Sequence, residues 1–137
     1  VLFSGFRDVK EQEYLYSIGR ALKNPSGDGI TKDKPMGDTV TNSRPGNSYH
    51  NYGLACDLVR LTQKGQPTWD NKAYPYRDIG VVAKAYGFEW GGDWKQQDLP
   101  HIQMTFGFSI GDIKGIVHPS GLEGIYERIH KLAKKAI

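Results

Sequence analysis

A single cysteine, Cys56, stands in a chain of 137 residues, so no internal disulfide can form. One thiol does not identify the redox compartment. No apolar run approaches the roughly 20 residues needed to cross a bilayer, so no membrane insertion is expected. Neither sign of charge dominates: 18 Lys and Arg face 15 Asp and Glu, for a net charge of +3. The basic residues are scattered, whereas a nucleic-acid binder gathers them on one face, so no nucleic-acid partner is expected. There is no internal repeat and no low-complexity stretch. The chain opens at Val1 with neither a methionine nor a signal peptide, the pattern of a trimmed or mature form. What is present is an ordinary globular composition, 38% hydrophobic and 24% charged, with 17 glycines and 8 tyrosines. The length suits one domain with a real core. The glycines and tyrosines point to a loop-rich fold with an aromatic-lined surface.

Residues 1–6, VLFSGF, read as a strand ending at a glycine. Asp8 and Glu11 then have the spacing of a capping box. The helix they open shows Tyr14, Leu15, Ile18, Ala21 and Leu22 on one face, and NPSGDG (24–29) stops it. Residues 30–47 lack periodicity and read as a long loop, a common place for function. Residues 54–61 read as a strand with Leu54, Cys56 and Leu58 on one side and Ala55, Asp57 and Val59 on the other. Residues 62–76 read as another loop. A helix from about 77 to 86 carries Ile79, Val82, Ala83 and Tyr86, with Gly87 at the position after its end. HIQMTF (101–106) alternates like a strand, with His101, Gln103 and Thr105 on one face. Ser120 and Glu123 form a second capping box, opening a helix whose stripe is Leu122, Ile125, Tyr126, Ile129 and Leu132. Short strands beside helices predict an α+β fold, a small antiparallel sheet with helices packed on one face.

Asp57 and His101 each sit on the polar face of a strand. If those strands are neighbours, the two side chains converge, and His50 approaches from the loop ahead. Gly53 lets that loop turn tightly. Two imidazoles and a carboxylate are the donors of a catalytic zinc site. Taken singly, each of the three can equally be an ordinary hydrogen-bonded polar residue. Asp57 is the hardest to explain so, because an aspartate amid Leu54, Ala55, Cys56, Leu58 and Val59 needs a partner. Asp98 lies three residues before His101, where a carboxylate could act as base and then acid, or merely cap a loop.

SYHNYGLACD (48–57) resembles the Ser-x-His-x-x-Gly-x-Ala-x-Asp signature of the zinc peptidases that include D-alanyl-D-alanine carboxypeptidases and phage L-alanyl-D-glutamate endopeptidases. DLPHIQ (98–103) resembles their second motif, an acidic residue three before a histidine, and GFRDVKEQEYLYSIGR (5–20) resembles the stretch that precedes both. Three motifs in order cover residues 2 to 106. The resemblance implies the fold shared by these peptidases and the hedgehog signalling domain, with a catalytic domain over 1–106 that lacks an N-terminal helix. Residues 107–137 match no motif and are expected to complete the domain or lead to a wall-binding module.

By the same resemblance His50, Asp57 and His101 are zinc ligands, one Zn2+ per chain, and Asp98 is the catalytic acid and base. Arg7, Ser48 and Trp94 are substrate-binding residues. Arg7 has a surface salt bridge as its plain alternative, and Ser48 could simply brace its loop. Of Trp90 and Trp94, one is expected in the core and one in the groove formed by GGDW (91–94). Cys56 is expected to be a buried thiol, and His118 and His130 surface residues. Asp8 stands where relatives have Ser or Thr, and Asp98 where many have Glu, so its loop must lie closer to the metal. The implied substrate is the stem peptide of bacterial peptidoglycan, cut by a monomer acting on the cell wall after secretion or phage release. The context leans toward an L-alanyl-D-glutamate endopeptidase; a D-alanyl-D-alanine carboxypeptidase and a non-catalytic, zinc-holding wall-binding module are the alternatives. A binding module has no need of an acid at Asp98.

Overall fold

The structure, a computed structural model, describes residues 1–20 and 38–135. The expected stop at 24–29, the positions Ala21 and Leu22, and the first part of the 30–47 loop lie outside the described residues. Strand β1 (Leu2–Ser4) leads to helix α1 (Val9–Ser17). Asp8 caps that helix by accepting from the Glu11 backbone N–H at 2.7 Å. The buried positions of α1 are Gln12 and Ser17, while Tyr14 and Leu15 are only half buried. The reason is the neighbour: α1 faces a polar chain segment, and the Gln12 amide donates to Ser43 O at 2.8 Å.

Strands β2 (Ala55–Leu58), β5 (Glu89–Trp90) and β6 (His101–Gln103) join β1 in an antiparallel sheet of order β1-β2-β6-β5. The expected 54–61 strand breaks after Leu58. Its continuation, β3 (Arg60–Leu61), pairs instead with β4 (Pro67–Thr68) inside the segment read as a loop. Two-residue strands with a proline leave no alternation to read. Gly65, at φ 75°, turns this hairpin.

Helix α2 (Arg77–Ala85) lies against one face of the sheet, where Tyr76, Ala83, Trp90 and Ile102 form a core with Cys56, Leu58 and Ile79 at its border. Gly87, at φ 85°, follows the helix end as expected. Val82 and Tyr86 depart from expectation and are exposed, because only one narrow side of this short helix meets the sheet. The Trp90 ring is pressed between Gly80 and Gly92, where an added Cβ would sit 2.2 Å from it on either side.

Helix α3 (Ile110–Lys135) is broken at Gly121 (φ 62°, ψ −171°), one residue past the expected start at Ser120. Its first half was not expected; Gly111, Gly115 and Pro119 disfavour a helix there by intrinsic propensity. A signal was present all the same. Asp112 accepts from Ser109 N at 2.8 Å, and Ser109 Oγ accepts from Asp112 N at 3.1 Å, a reciprocal cap. Ile113, Ile116 and Ile125 pack with Tyr52 and Leu54 in a second core, with Leu122 and Ile129 partly buried against it. Tyr126 and Leu132, expected on the buried stripe, are exposed. No helix among the described residues is long and apolar enough to cross a membrane. The architecture is α+β, with a small antiparallel sheet.

Candidate metal centre

The register of two strands makes the site. Asp57 of β2 and His101 of β6 are direct cross-strand partners, so their side chains leave the same face of the sheet as neighbours. His50 comes from a 3₁₀ turn, Tyr49–Tyr52, that precedes β2. Ser48 and Asn51 cap the start of that turn reciprocally: Ser48 Oγ accepts from His50 N, and Asn51 Oδ1 accepts from Ser48 N. Gly53, at φ 68°, then reverses the chain into β2, a conformation that strains any residue with a Cβ.

Hydrogen bonds assign the histidine tautomers. His50 Nδ1 donates to Gly5 O at 2.7 Å, which turns its Nε2 lone pair inward. His101 Nε2 donates to Gln103 Oε1 at 3.0 Å, which leaves Nδ1 for the centre. The three inward atoms form a nearly equilateral triangle. His50 Nε2 lies 3.2 Å from Asp57 Oδ1 and 3.3 Å from His101 Nδ1, and His101 Nδ1 lies 3.4 Å from Asp57 Oδ1. A tetrahedral ion with donors at about 2.0–2.1 Å has donor–donor edges of about 3.3–3.4 Å. The residues therefore fit one face of such a coordination sphere, and this His-Asp-His set can hold a metal ion.

Charge is arranged around the same point. Arg7 Nη2 pairs with Asp57 Oδ2, while Arg7 Nε donates to Ser4 Oγ at 3.1 Å. Burial pushes the Asp57 carboxyl up, but hydrogen bonds with His101 and His50 and the charges of His50 and Arg7 outweigh it. The carboxyl is held well below the usual range. Burial pulls His101 down, yet its bonds to Asp57 and Gln103 and the charges of Asp57 and Asp98 leave it raised. Asp98 is raised, first by burial and then by the Asp57 charge, against the opposing pull of His101, His50 and Arg7. Its Oδ2 stands 4.0 Å from His101 Nδ1. The Asp98 backbone is fixed by donation from its N–H to Gly91 O at 3.0 Å. A Cβ at Gly91 would lie 2.4 Å from Asp98 O, so this close approach requires glycine.

The centre opens into a cleft of about 620 Å³ that Arg7, Ser48, Tyr49, Trp94 and Asp98 help to line. Trp94 sits at its wall with its ring centroid 5.0 Å from that of His101, whereas Trp90 is core and donates to Leu99 O. Arg7 is no surface pair: its side chain is 11% exposed and faces the cleft floor. Ser48 braces the His50 turn from a buried position. Cys56 points to the α2 core, and burial, followed by the Asp57 charge, raises its thiol pKa. His118 and His130 are exposed on α3. Sequence reasoning missed Gly91 and Glu89; the first needs three-dimensional proximity to Asp98, and the second is one exposed acid among many.

Residues 41–104 match the model of a family described as D-alanyl-D-alanine carboxypeptidase. The chain is also 40% identical over 112 residues to the peptidoglycan L-alanyl-D-glutamate endopeptidase CwlK of Bacillus subtilis (strain 168). Over residues 41–104 the chain is thus similar to this peptidase family. The CwlK match covers 76% of this chain and 59% of the relative. An L-alanyl-D-glutamate peptidase of Listeria phage A118 is 37% identical over 60 residues, covering 43% of this chain and 21% of that protein. The chain thus spans less than two thirds of the curated relatives it matches. The matched family segment contains His50, Asp57, Asp98 and His101 and omits Arg7.

Proposed function

We propose that this chain is a zinc-dependent peptidase that hydrolyses the stem peptide of bacterial peptidoglycan, most simply at the L-alanyl-D-glutamate bond named in both relatives. The observation that carries the reading is the triangle of His50, Asp57 and His101 donors with Asp98 beside it. Nitrogen and carboxylate donors suit zinc, one ion per chain. Zinc, when bound, polarises a carbonyl oxygen and lowers the pKa of water from 15.7 toward about 7. Asp98, beside the donor triangle, holds the proton taken from the attacking water and returns it to the leaving amine. Arg7 restrains Asp57 Oδ2 from the cleft floor and presents its guanidinium to a substrate carboxylate or carbonyl. Trp94 supplies a flat wall beside His101, and Ser48 holds the His50 turn at the cleft edge.

The packing of Ile113, Ile116 and Ile125 on Tyr52 and Leu54 supports residues 107–137 as the completion of a catalytic domain begun in 1–106. The working form is a monomer acting on the cell wall, reached by secretion or phage release. Digestion of purified wall, with and without chelator, tests the reading by mass spectrometry of the new termini. New amino-terminal glutamate that disappears with chelator is expected. Released D-alanine would move the assignment to the D-alanyl-D-alanine carboxypeptidase activity after which the matched family is described. Wall binding without any new terminus would leave a zinc-holding binding module.

A further inference from the structure

Behind His101 runs a line of hydrogen bonds that leads away from the cleft. His101 Nε2 donates to Gln103 Oε1 at 3.0 Å, Gln103 Nε2 donates to Glu89 Oε2 at 2.9 Å, and Thr105 Oγ1 donates to Glu89 Oε1 at 3.0 Å. Strand pairing builds the line, because Glu89 of β5 is the direct cross-strand partner of Gln103 of β6. Gln103 is 7% exposed, so its amide cannot turn freely to water. The direction of the line follows from donor chemistry. An ionised carboxylate only accepts. Glu89 therefore draws the NH2 end of Gln103 toward itself and turns the carbonyl end toward His101. A carbonyl facing Nε2 requires a proton there, and Nδ1 is then the atom left for the Asp57 and His50 side.

We propose that Glu89 is a positioning residue for the metal centre, acting through Gln103 to keep His101 protonated at Nε2 and so commit Nδ1 to the ion. The metal half of this statement rests on the zinc-peptidase reading; the proton half does not. The charge at Glu89 matters less than its inability to donate. Glu89→Gln can still turn an acceptor toward Gln103 and keeps the line. Glu89→Lys can only donate, so Gln103 turns over and aims its NH2 at His101 Nε2, where it now needs a lone pair. The ring is then driven to the Nδ1–H form, which cannot ligate through Nδ1.

The test uses protein labelled with ¹⁵N at histidine, metal-free and zinc-loaded, with the Nε2–H proton of His101 observed directly. The bonded Nδ1–H of His50 is an internal reference, and His118 and His130 exchange with solvent. A slowly exchanging Nε2–H is expected in wild type and Glu89→Gln and is expected to vanish in Glu89→Lys. By competition with a chromogenic chelator, Glu89→Lys should weaken zinc about 10- to 100-fold, the range seen when outer partners of ligating histidines are lost, and Glu89→Gln only a few-fold. Glu89 is exposed at the sheet edge, so the lysine variant is expected to fold; unchanged amide spectra away from β5 and β6 check it. An Nε2–H that is unprotected in wild type, or that persists in Glu89→Lys with zinc affinity unaltered, overturns the proposal. A wild-type protein that takes up no zinc sinks the peptidase reading instead, and the metal-free Nε2–H comparison still decides the role of Glu89.

Discussion

Asp98 and Asp57 are carboxylates that both approach His101 Nδ1, at 4.0 and 3.4 Å, and their surroundings push them in opposite directions. Asp98→Ala should remove wall lysis by a factor of about 10²–10⁴ while zinc content stays near one per chain, measured by turbidity loss and elemental analysis. Asp57→Asn should instead lose the metal. Asp57 also carries a pH signature. Its folded carboxyl ionises more readily than the unfolded one, at 3.8, so its contribution to stability is complete above that value and fades as pH falls below it. In the metal-free protein, wild type should exceed Asp57→Asn by ~2 kcal/mol near pH 6, and the gap should close toward pH 2 in denaturant titrations. A gap that does not vary with pH would mean that the carboxylate is not held by Arg7 and the histidines. At this scale much was legible. His50, Asp57 and His101 stood out chiefly through the resemblance of SYHNYGLACD and DLPHIQ to a known signature, and Asp57 also because a carboxylate amid apolar neighbours demands a partner. Arg7 was legible only as a guanidinium near the site. Its partner Asp57 lies fifty positions along the chain and is joined to it by the sheet, which no local pattern encodes.

Elements carry the site through close approaches. The turn from Gly91 to Asp98 is closed by one backbone bond at a spacing that leaves no room for a side chain. Gly91→Ala should therefore shift Asp98 without touching His50, Asp57 or His101. A displacement near 1 Å costs about 10²-fold in turnover, so kcat should fall by roughly that factor with zinc affinity unchanged. In α3, Ser109→Ala removes an acceptor for the Asp112 N–H and should lower stability by about 0.5–2 kcal/mol in thermal or denaturant unfolding. The same cap shows why the sequence reading of this element was incomplete. Ser109 and Asp112 signal a helix start, but Gly111, Gly115 and Pro119 in the following ten residues speak against one, and burial of Ile113 and Ile116 overrides that local preference. Helix α1 erred the other way. Its apolar periodicity pointed to Tyr14 and Leu15, yet the side that packs is polar, because its neighbour is the chain around Ser43.

Among the described residues two cores form, one under α2 and one under α3. A chain ended at residue 106 would leave Tyr52 and Leu54 without Ile113, Ile116 and Ile125. Since Tyr52 ends the turn that holds His50, such a chain should lose solubility, its folded spectrum and zinc together, by light scattering, circular dichroism and elemental analysis. A soluble, folded fragment would make the last 31 residues an appendage.

The donors His50, Asp57 and His101 are scattered along the chain and are gathered only by the β2–β6 pairing and the turn before it. Before that pairing exists, 43 residues lie between Asp57 and His101, and closing that stretch around an ion is entropically uphill. An ion held by these three side chains would therefore enter a scaffold already assembled. Gly5 and Gln103 orient the two rings by contacts made entirely of protein. Stripping and refilling such a centre is a docking event on a finished surface, so reloading should be bimolecular and far faster than refolding from denaturant.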